Sequence, residues 1–254
     1  MILAIDVGNT NIVLGGIENG RTSFISRLST DTGKTVDEYA IQIKMITDLN
    51  NVHTDSFGGA IISSVVPQII TTLSAAVKKV TNHEPLIVGP GIRTGLDIKI
   101  DNPATLGSDI VVGAVAAITN YPLPLMVIDM GTATTICVVD KHACYRGGVI
   151  IPGVKVAMES LTRNAALLQS IGLHAPKKTI GTNTTDCLQS GVVFGNAAMI
   201  DGLIERMSRE IEGTPTVIAT GGLAPRIIPY CSHKIIINDE LLLIGLEIIY
   251  NKNK

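Results

Sequence analysis

Leu3-Ala4-Ile5-Asp6-Val7-Gly8-Asn9-Thr10 and, 123 residues further on, Val127-Ile128-Asp129-Met130-Gly131-Thr132-Ala133-Thr134 share one grammar. Each is an apolar run closed by Asp-x-Gly and a hydroxyl-bearing turn, after which an apolar stretch resumes (Ile12 to Ile17 and Ile136 to Val139). A repeat at about half the 254-residue length marks a duplicated domain rather than a short-period solenoid. The expected organisation is two similar α/β lobes facing each other, residues 1–120 and 121–254.

Working outward from these turns, Met1 to Ile5 and Ile12 to Gly16 read as a hairpin, with Arg21 to Leu28 as a third strand. Val36 to Leu49 has helical spacing, with Thr35 as its cap and Asp37 and Glu38 in the first turn. Gly59 to Val65 reads as a buried strand, Pro67 opens a helix to about Val80, and Leu86 to Val88 is a closing strand. Ile110 to Thr119 reads as a buried helix. The second lobe has expected strands at Leu125 to Ile128, Thr135 to Val139, Ala143 to Arg146 and Thr216 to Ala219. Its helices run from about Thr184 to Glu210 and from Asp239, as cap, to Tyr250. Hairpins followed by alternating helices and strands give a mixed sheet in each lobe.

Composition narrows the function. Hydrophobic residues are 46% and charged residues 17%, with a formal net charge of -2, so there is core material but no basic excess for nucleic acid or anionic lipid. Mean hydropathy is +0.38, yet the longest unbroken apolar runs, Ile110 to Ile118 and Leu241 to Leu246, fall short of a membrane span. The N-terminus meets Asp6 at once, unlike a signal peptide, and Cys137, Cys144, Cys187 and Cys231 form no CxxC pair. These features predict a cytoplasmic protein with reduced thiols and no membrane or nucleic-acid partner. No HExxH, G-x-S-x-G, Walker A or GxGxxG sequence occurs.

The turns themselves carry candidate chemistry. Gly8 permits close backbone approach to a ligand, and the following N–H groups with the Thr10 hydroxyl suit phosphate oxygens. Asp6 suits Mg²⁺ or its water shell. An ordinary Gly-Asn hairpin explains the first turn equally well until the second copy, with Asp129, Gly131 and three hydroxyls, is counted. A third cluster, Ala219-Thr220-Gly221-Gly222-Leu223, follows a strand and suits a nucleotide's sugar and base. Asp109 in Gly107-Ser108-Asp109 is either a helix-dipole partner worth roughly 0.3–1 kcal/mol or the base that phosphoryl transfer to an alcohol requires.

Taken in order, the two Asp-x-Gly turns, Gly107-Ser108-Asp109, Pro152-Gly153 after Gly147-Gly148, Ile180-Gly181-Thr182-Asn183-Thr184, Ser190-Gly191 and Ala219-Thr220-Gly221-Gly222 resemble the type III pantothenate kinase family over nearly the whole chain. The resemblance implies α/β lobes of the duplicated actin-like (ribonuclease H-like) fold, mixed sheets with flanking helices, and a nucleotide cleft between lobes. It also implies a homodimer, ATP with Mg²⁺, and a monovalent cation, K⁺ or NH₄⁺. By residue, it implies Asp6, Val7, Gly8, Asn9, Thr10, Asn11, Ile12 and Val13 as the first phosphate turn, with Thr132, Gly221 and Gly222 as further ATP contacts. Asp109 is implied as the base for the pantothenate hydroxyl and Asp129 as the monovalent-cation ligand. Gly107, Ser108 and Thr184, the last from a partner subunit, are implied at the acceptor.

Two departures fall on the acceptor side. The family's usual Gly-Ala-Asp-Arg is Gly107-Ser108-Asp109-Ile110, and its usual Tyr before Asn-Pro is Ile100. Losing an Arg that meets a carboxylate removes a charge-assisted hydrogen bond, roughly 1.5–3 kcal/mol or about 10- to 150-fold in affinity. The usual Phe-Asp at the end of the second turn is Ile136-Cys137, which leaves Asp129 and Thr132 in place. Three functions stay open on sequence: a pantothenate kinase, a paralogue acting on an alcohol without a carboxylate, and a non-catalytic regulator on the same fold.

Overall fold

The computed structural model describes residues 1–165, 168 and 171–254. In chain order the elements are β1 (Ile2–Val7), β2 (Asn11–Glu18), β3 (Arg21–Ser29), α1 (Val36–Leu49), β4 (Ala60–Ser64), α2 (Ile70–Thr81), β5 (Leu86–Ile87), β6 (Asp97–Ile98) and α3 (Ser108–Asn120). Then follow β7 (Leu125–Met130), β8 (Ala133–Val139), β9 (Cys144–Pro152), α4 (Val154–Asn164), α5 (Thr184–Ser208), β10 (Thr216–Thr220), α6 (Ala224–Ile227), β11 (Ile235–Ile237) and α7 (Leu241–Asn253).

The duplication is written in the sheets. One has strand order β3-β2-β1-β4-β5; the other, β11-β10-β7-β8-β9-β6, is the same order read backwards with β6 added at its edge. In both, a three-strand antiparallel meander (β1–β2–β3, β7–β8–β9) is extended by two parallel strands (β4 and β5, β10 and β11). Even the ladder irregularities correspond, between Gly16 and Ile17 and between Val138 and Val139.

Contacts divide the chain into two compact units, 1–96 with 101–119 and 240–254, and 97–100 with 120–239. The units therefore differ from a simple split after residue 120. β6 pairs with β9, and α7 packs on β1, β2 and β4, pairings of distant segments that no local pattern announces.

In the first unit β1 is buried along its whole length, as a central strand covered on both faces must be. Leu3, Ile5, Leu14 and Ile62 pack with Tyr39 and Ile43 of α1 and Leu73 and Val77 of α2. α1 starts as read: Thr35 and Glu38 form a capping box, the Thr35 hydroxyl accepting from the Glu38 N–H and the Glu38 carboxylate accepting from the Thr35 N–H. In the second unit Met126, Ile128 and Ile136 pack against Val193, Ala197, Ile200 and Ile204 of α5.

Several local readings are corrected. Pro67 opens a short 3₁₀ turn, Pro67–Ile69, and the α-helix begins only at Ile70. Asp239 is not the cap of α7; Glu240 occupies that position without a side-chain capping bond, and its carboxylate accepts instead from the Thr22 hydroxyl at 2.9 Å. β9 runs through the Gly147-Gly148 pair to Pro152 rather than ending at Arg146. α4, β6 and β11 have no counterpart among the elements expected from the sequence. α5, with 25 residues, is long and apolar enough to cross a membrane by length and composition, which the count of unbroken apolar runs did not detect. Its Val193, Ala197, Ile200 and Ile204 are core residues of the second unit.

Candidate active site

In the first unit Asp6 lies one residue from the end of β1, buried, opposite Val13 on β2 and Ser63 on β4. The turn beyond it is closed by the Gly8 N–H, which donates to the Asn11 carbonyl at 2.9 Å. Asn9, Thr10 and Asn11 are exposed, whereas the Val7 and Ile12 side chains sit in the core, so those two residues offer only backbone to a ligand. From the end of β3, Thr30 reaches across. Its hydroxyl donates to the Gly8 carbonyl at 2.6 Å, and its N–H donates to the Thr10 carbonyl at 3.0 Å. Sequence reasoning missed Thr30, an unremarked hydroxyl in a polar loop.

Asp109 is brought to the same end of this sheet. Ser108, the first residue of α3, donates to the Ser64 carbonyl at 3.0 Å and accepts from the Ser64 N–H at 3.1 Å and the Ser63 hydroxyl at 2.9 Å. One hydroxyl has one proton and two lone pairs, so its capacity is filled by the end of β4. Ser108 thus ties the start of α3 to the strand beside Asp6. Burial pushes the Asp109 carboxyl above its ordinary range, opposed by N–H donation from Ile110 (2.8 Å to Oδ1) and from its own backbone. A carboxylate raised toward neutrality is a stronger base for a hydroxyl proton. Gly107 and Ile110, both half-buried, flank it.

In the second unit Asp129 occupies the matching place, in register with Thr135 on β8 and Thr220 on β10. Gly131 donates its N–H to the Ala133 carbonyl at 3.0 Å, the counterpart of the Gly8 bond. Thr132 is exposed at the tip of the turn. The Gly153 N–H donates to the Thr132 carbonyl at 3.1 Å, and a Cβ on Gly153 would lie 2.2 Å from that oxygen. Gly221, at φ +93°, lies against Asp129 and Met130; a Cβ there would be 2.6 Å from Asp129 Oδ1 and from the Met130 N. Only glycine fits this contact, while Gly222 beside it faces open space.

Asp6, residues 8–11, Ser108 and Asp109 thus share one end of the first sheet, and Asp129, Thr132, Gly221 and Gly222 one end of the second. Ile100 follows β6 and lies by Gly147 of β9. Thr184 is exposed as the first residue of α5, whose cap Asn183 accepts from the Asp186 N–H at 2.9 Å. Both residues belong to the second unit, on elements other than its phosphate turn.

The residues fit the groups the turns imply. In the first unit an Asp-x-Gly hairpin offers backbone donors for phosphates at the sheet end that also carries a base raised by burial; in the second a like hairpin and an open glycine after a strand offer donors and space for part of a nucleotide. Mg²⁺ commonly takes one carboxylate and completes its shell with phosphate and water, a role the Asp6 carboxylate suits.

Comparison with known proteins gives the same direction. A model of the type III pantothenate kinase family matches residues 2–206. The chain is 45% identical over 254 residues to a type III pantothenate kinase of Exiguobacterium sp., covering all of both chains. It is 44% identical over 253 residues to the type III pantothenate kinase of Halalkalibacterium halodurans, again over the full length of both. Among solved structures it is similar to MreB 5 of Spiroplasma citri bound to AMPPNP, with TM-score 0.56, 10% identity, and coverage of 98% of this chain and 96% of that one. That likeness concerns the fold, the duplicated actin-like α/β architecture.

Proposed function

The chain belongs to the type III pantothenate kinase family, and on that premise we propose that its two Asp-x-Gly turns hold ATP while Asp109 activates the hydroxyl of pantothenate. The enzyme is a kinase that phosphorylates pantothenate at the expense of ATP, the entry step to coenzyme A. The family match over residues 2–206 carries this reading, and the raised carboxyl of Asp109 at a sheet end supports it.

Residues 6–13 and Thr132 contact the phosphates, largely through backbone N–H groups, and Gly221 and Gly222 leave room for the rest of the nucleotide. Asp6 holds Mg²⁺, which supplies neutralising charge at the phosphates. Asp129 is the ligand of a monovalent cation, K⁺ or NH₄⁺. Asp109 accepts the proton of the attacking hydroxyl, so that the oxygen bonds to phosphorus as the ADP oxygen leaves. Gly107, Ile110 and Ile100 line the acceptor, joined by Thr184 from the second copy of a homodimer; exposed Thr184 at a helix start is the feature that supports this last assignment. Halves 1–120 and 121–254 are the two copies of the duplication, with α7 returning to the first. The free thiols of Cys137, Cys144, Cys187 and Cys231 fit a cytoplasmic site of action.

ADP release from Mg-ATP in K⁺ buffer, with pantothenate set against a panel of uncharged alcohols, tests the reading. Turnover with pantothenate supports it. Turnover with an uncharged alcohol alone transfers the function to the paralogue reading, for which apolar Ile100 and Ile110 are the motivation. ATP binding without turnover on any acceptor leaves the regulator.

A further inference from the structure

Thr30 lies 22 positions from Gly8, yet it fixes the first phosphate turn at two points, the Gly8 and Thr10 carbonyls. A trans peptide is planar, with C=O and N–H pointing to opposite sides. Tying those carbonyls to the end of β3 therefore turns the N–H groups of Asn9 and Asn11 away from Thr30. Both residues are exposed.

Thr30 is itself braced. Its neighbour Asp31 donates its N–H to the Tyr39 hydroxyl at 3.2 Å, and that hydroxyl donates to the Asp31 carbonyl at 2.7 Å. Tyr39 is fully buried in the first core, and Lys34 Nζ lies 5.4 Å from its ring centre. The capping box at Thr35 fixes the other end of this loop. The core thus reaches the turn through Tyr39, Asp31 and Thr30 in succession.

We propose that Thr30 is a positioning residue for ATP: it orders the first turn before the nucleotide arrives, so that the backbone donors are already placed for the phosphates. The proposal rests on the kinase reading above. Preorganised donors strengthen binding because the ligand does not have to order them.

The test uses the full-length enzyme and three variants. Thr30→Val keeps the shape and the N–H but removes the hydroxyl, Thr30→Ser restores it, and Tyr39→Phe removes the brace while keeping the ring. Affinity for AMPPNP with Mg²⁺ is measured by calorimetry, alongside the KM of ATP, the KM of pantothenate and the thermal midpoint. Thr30→Val is expected to weaken AMPPNP and raise the ATP KM about tenfold, the scale of one lost hydrogen bond, with the pantothenate KM unchanged. Thr30→Ser should recover most of the loss, and Tyr39→Phe should show a smaller change in the same direction. A folded Thr30→Val enzyme with unchanged AMPPNP affinity overturns the proposal, as does a fall in thermal midpoint with both KM values shifting together. If Thr30→Val does not fold, an unchanged AMPPNP affinity in Tyr39→Phe overturns it. A wild-type protein that binds AMPPNP but never turns over pantothenate sinks the kinase reading instead, and calorimetry still decides the role of Thr30.

Discussion

Between β1 and β2 the first phosphate turn has three residues, Gly8-Asn9-Thr10, whereas between β7 and β8 the second has two, Gly131-Thr132. Both follow an Asp near a strand end, and both are closed by a glycine N–H donating across the turn. Each is also held from the end of the third strand of its sheet, but by different means. Thr30 holds the longer turn with a hydroxyl as well as its N–H; Gly153 holds the shorter one with backbone packed on backbone. A side-chain clamp can be weakened in steps by substitution. A backbone contact without space for a Cβ has no intermediate setting.

The largest expected effect leaves both turns alone. Asp109→Asn should lower turnover by about 10²–10⁴ while AMPPNP affinity stays near wild type, which separates what the turns bind from what the base does. Turnover at the wild-type level would remove Asp109 from the chemistry. Next comes Gly153→Ala, whose methyl would meet the Thr132 carbonyl; displacing the turn by about 1 Å should cost on the order of 10²-fold in kcat/KM for ATP. If that variant binds and reacts normally, the two clamps are equally forgiving and the contrast between them collapses. Gly8→Ala should be much milder, about threefold, because its Cβ would lie 3.2 Å from the Asn11 carbonyl, which needs to yield only slightly. A collapse of ATP affinity in Gly8→Ala would mean the longer turn is as rigid as the shorter.

The smallest effect is on stability and depends on pH. Burial raises the Asp109 carboxyl in the folded protein, so ionising it opposes folding. That penalty is absent below the ordinary Asp value near about 3.9, grows as pH rises through the raised folded value, and is complete above it. Asp109→Asn should therefore have a higher thermal midpoint than wild type at pH 7, with the gain shrinking toward zero as the buffer approaches pH 4. A gain independent of pH would assign the effect to something other than the charge.

Much of this is legible in the amino-acid sequence. Asp-x-Gly with a hydroxyl turn is a strong local signal, and its recurrence at half-length gave the duplicated sheets and hairpins. Thr35 with Glu38 three residues on was readable as a cap because capping chemistry is local. α4 is hard to read from sequence although Val154, Met158 and Leu161 have helical spacing, because Gly153 at its start gives no side-chain cap and Lys155, Glu159 and Arg163 dilute the stripe. β11 is three residues, below what periodicity resolves. Thr30 and the Ser63–Ser64–Ser108 bonds were invisible for a different reason: each joins segments 22 to 45 residues apart, and a hydroxyl in a polar loop looks alike whether it faces water or a carbonyl. The resemblance implies Ser108 at the acceptor; the bonds of its hydroxyl to Ser63 and Ser64 are a further role that its place before Asp109 does not announce.

The return of α7 to the first unit has a consequence for how the protein is made. Leu241, Leu243, Leu246 and Ile249 are buried, the Gly20 N–H donates to the Glu247 carboxylate at 2.7 Å, and Gly245 lies against Val112. On the ribosome, domains usually close in the order they emerge. Here the first-born sheet must wait with an uncovered apolar face until residues 241–253 leave the exit tunnel. The segments of the second unit are complete by residue 239. The first unit is thus begun first and completed last, and a chain cut just short of α7 would expose that face to chaperones and proteases.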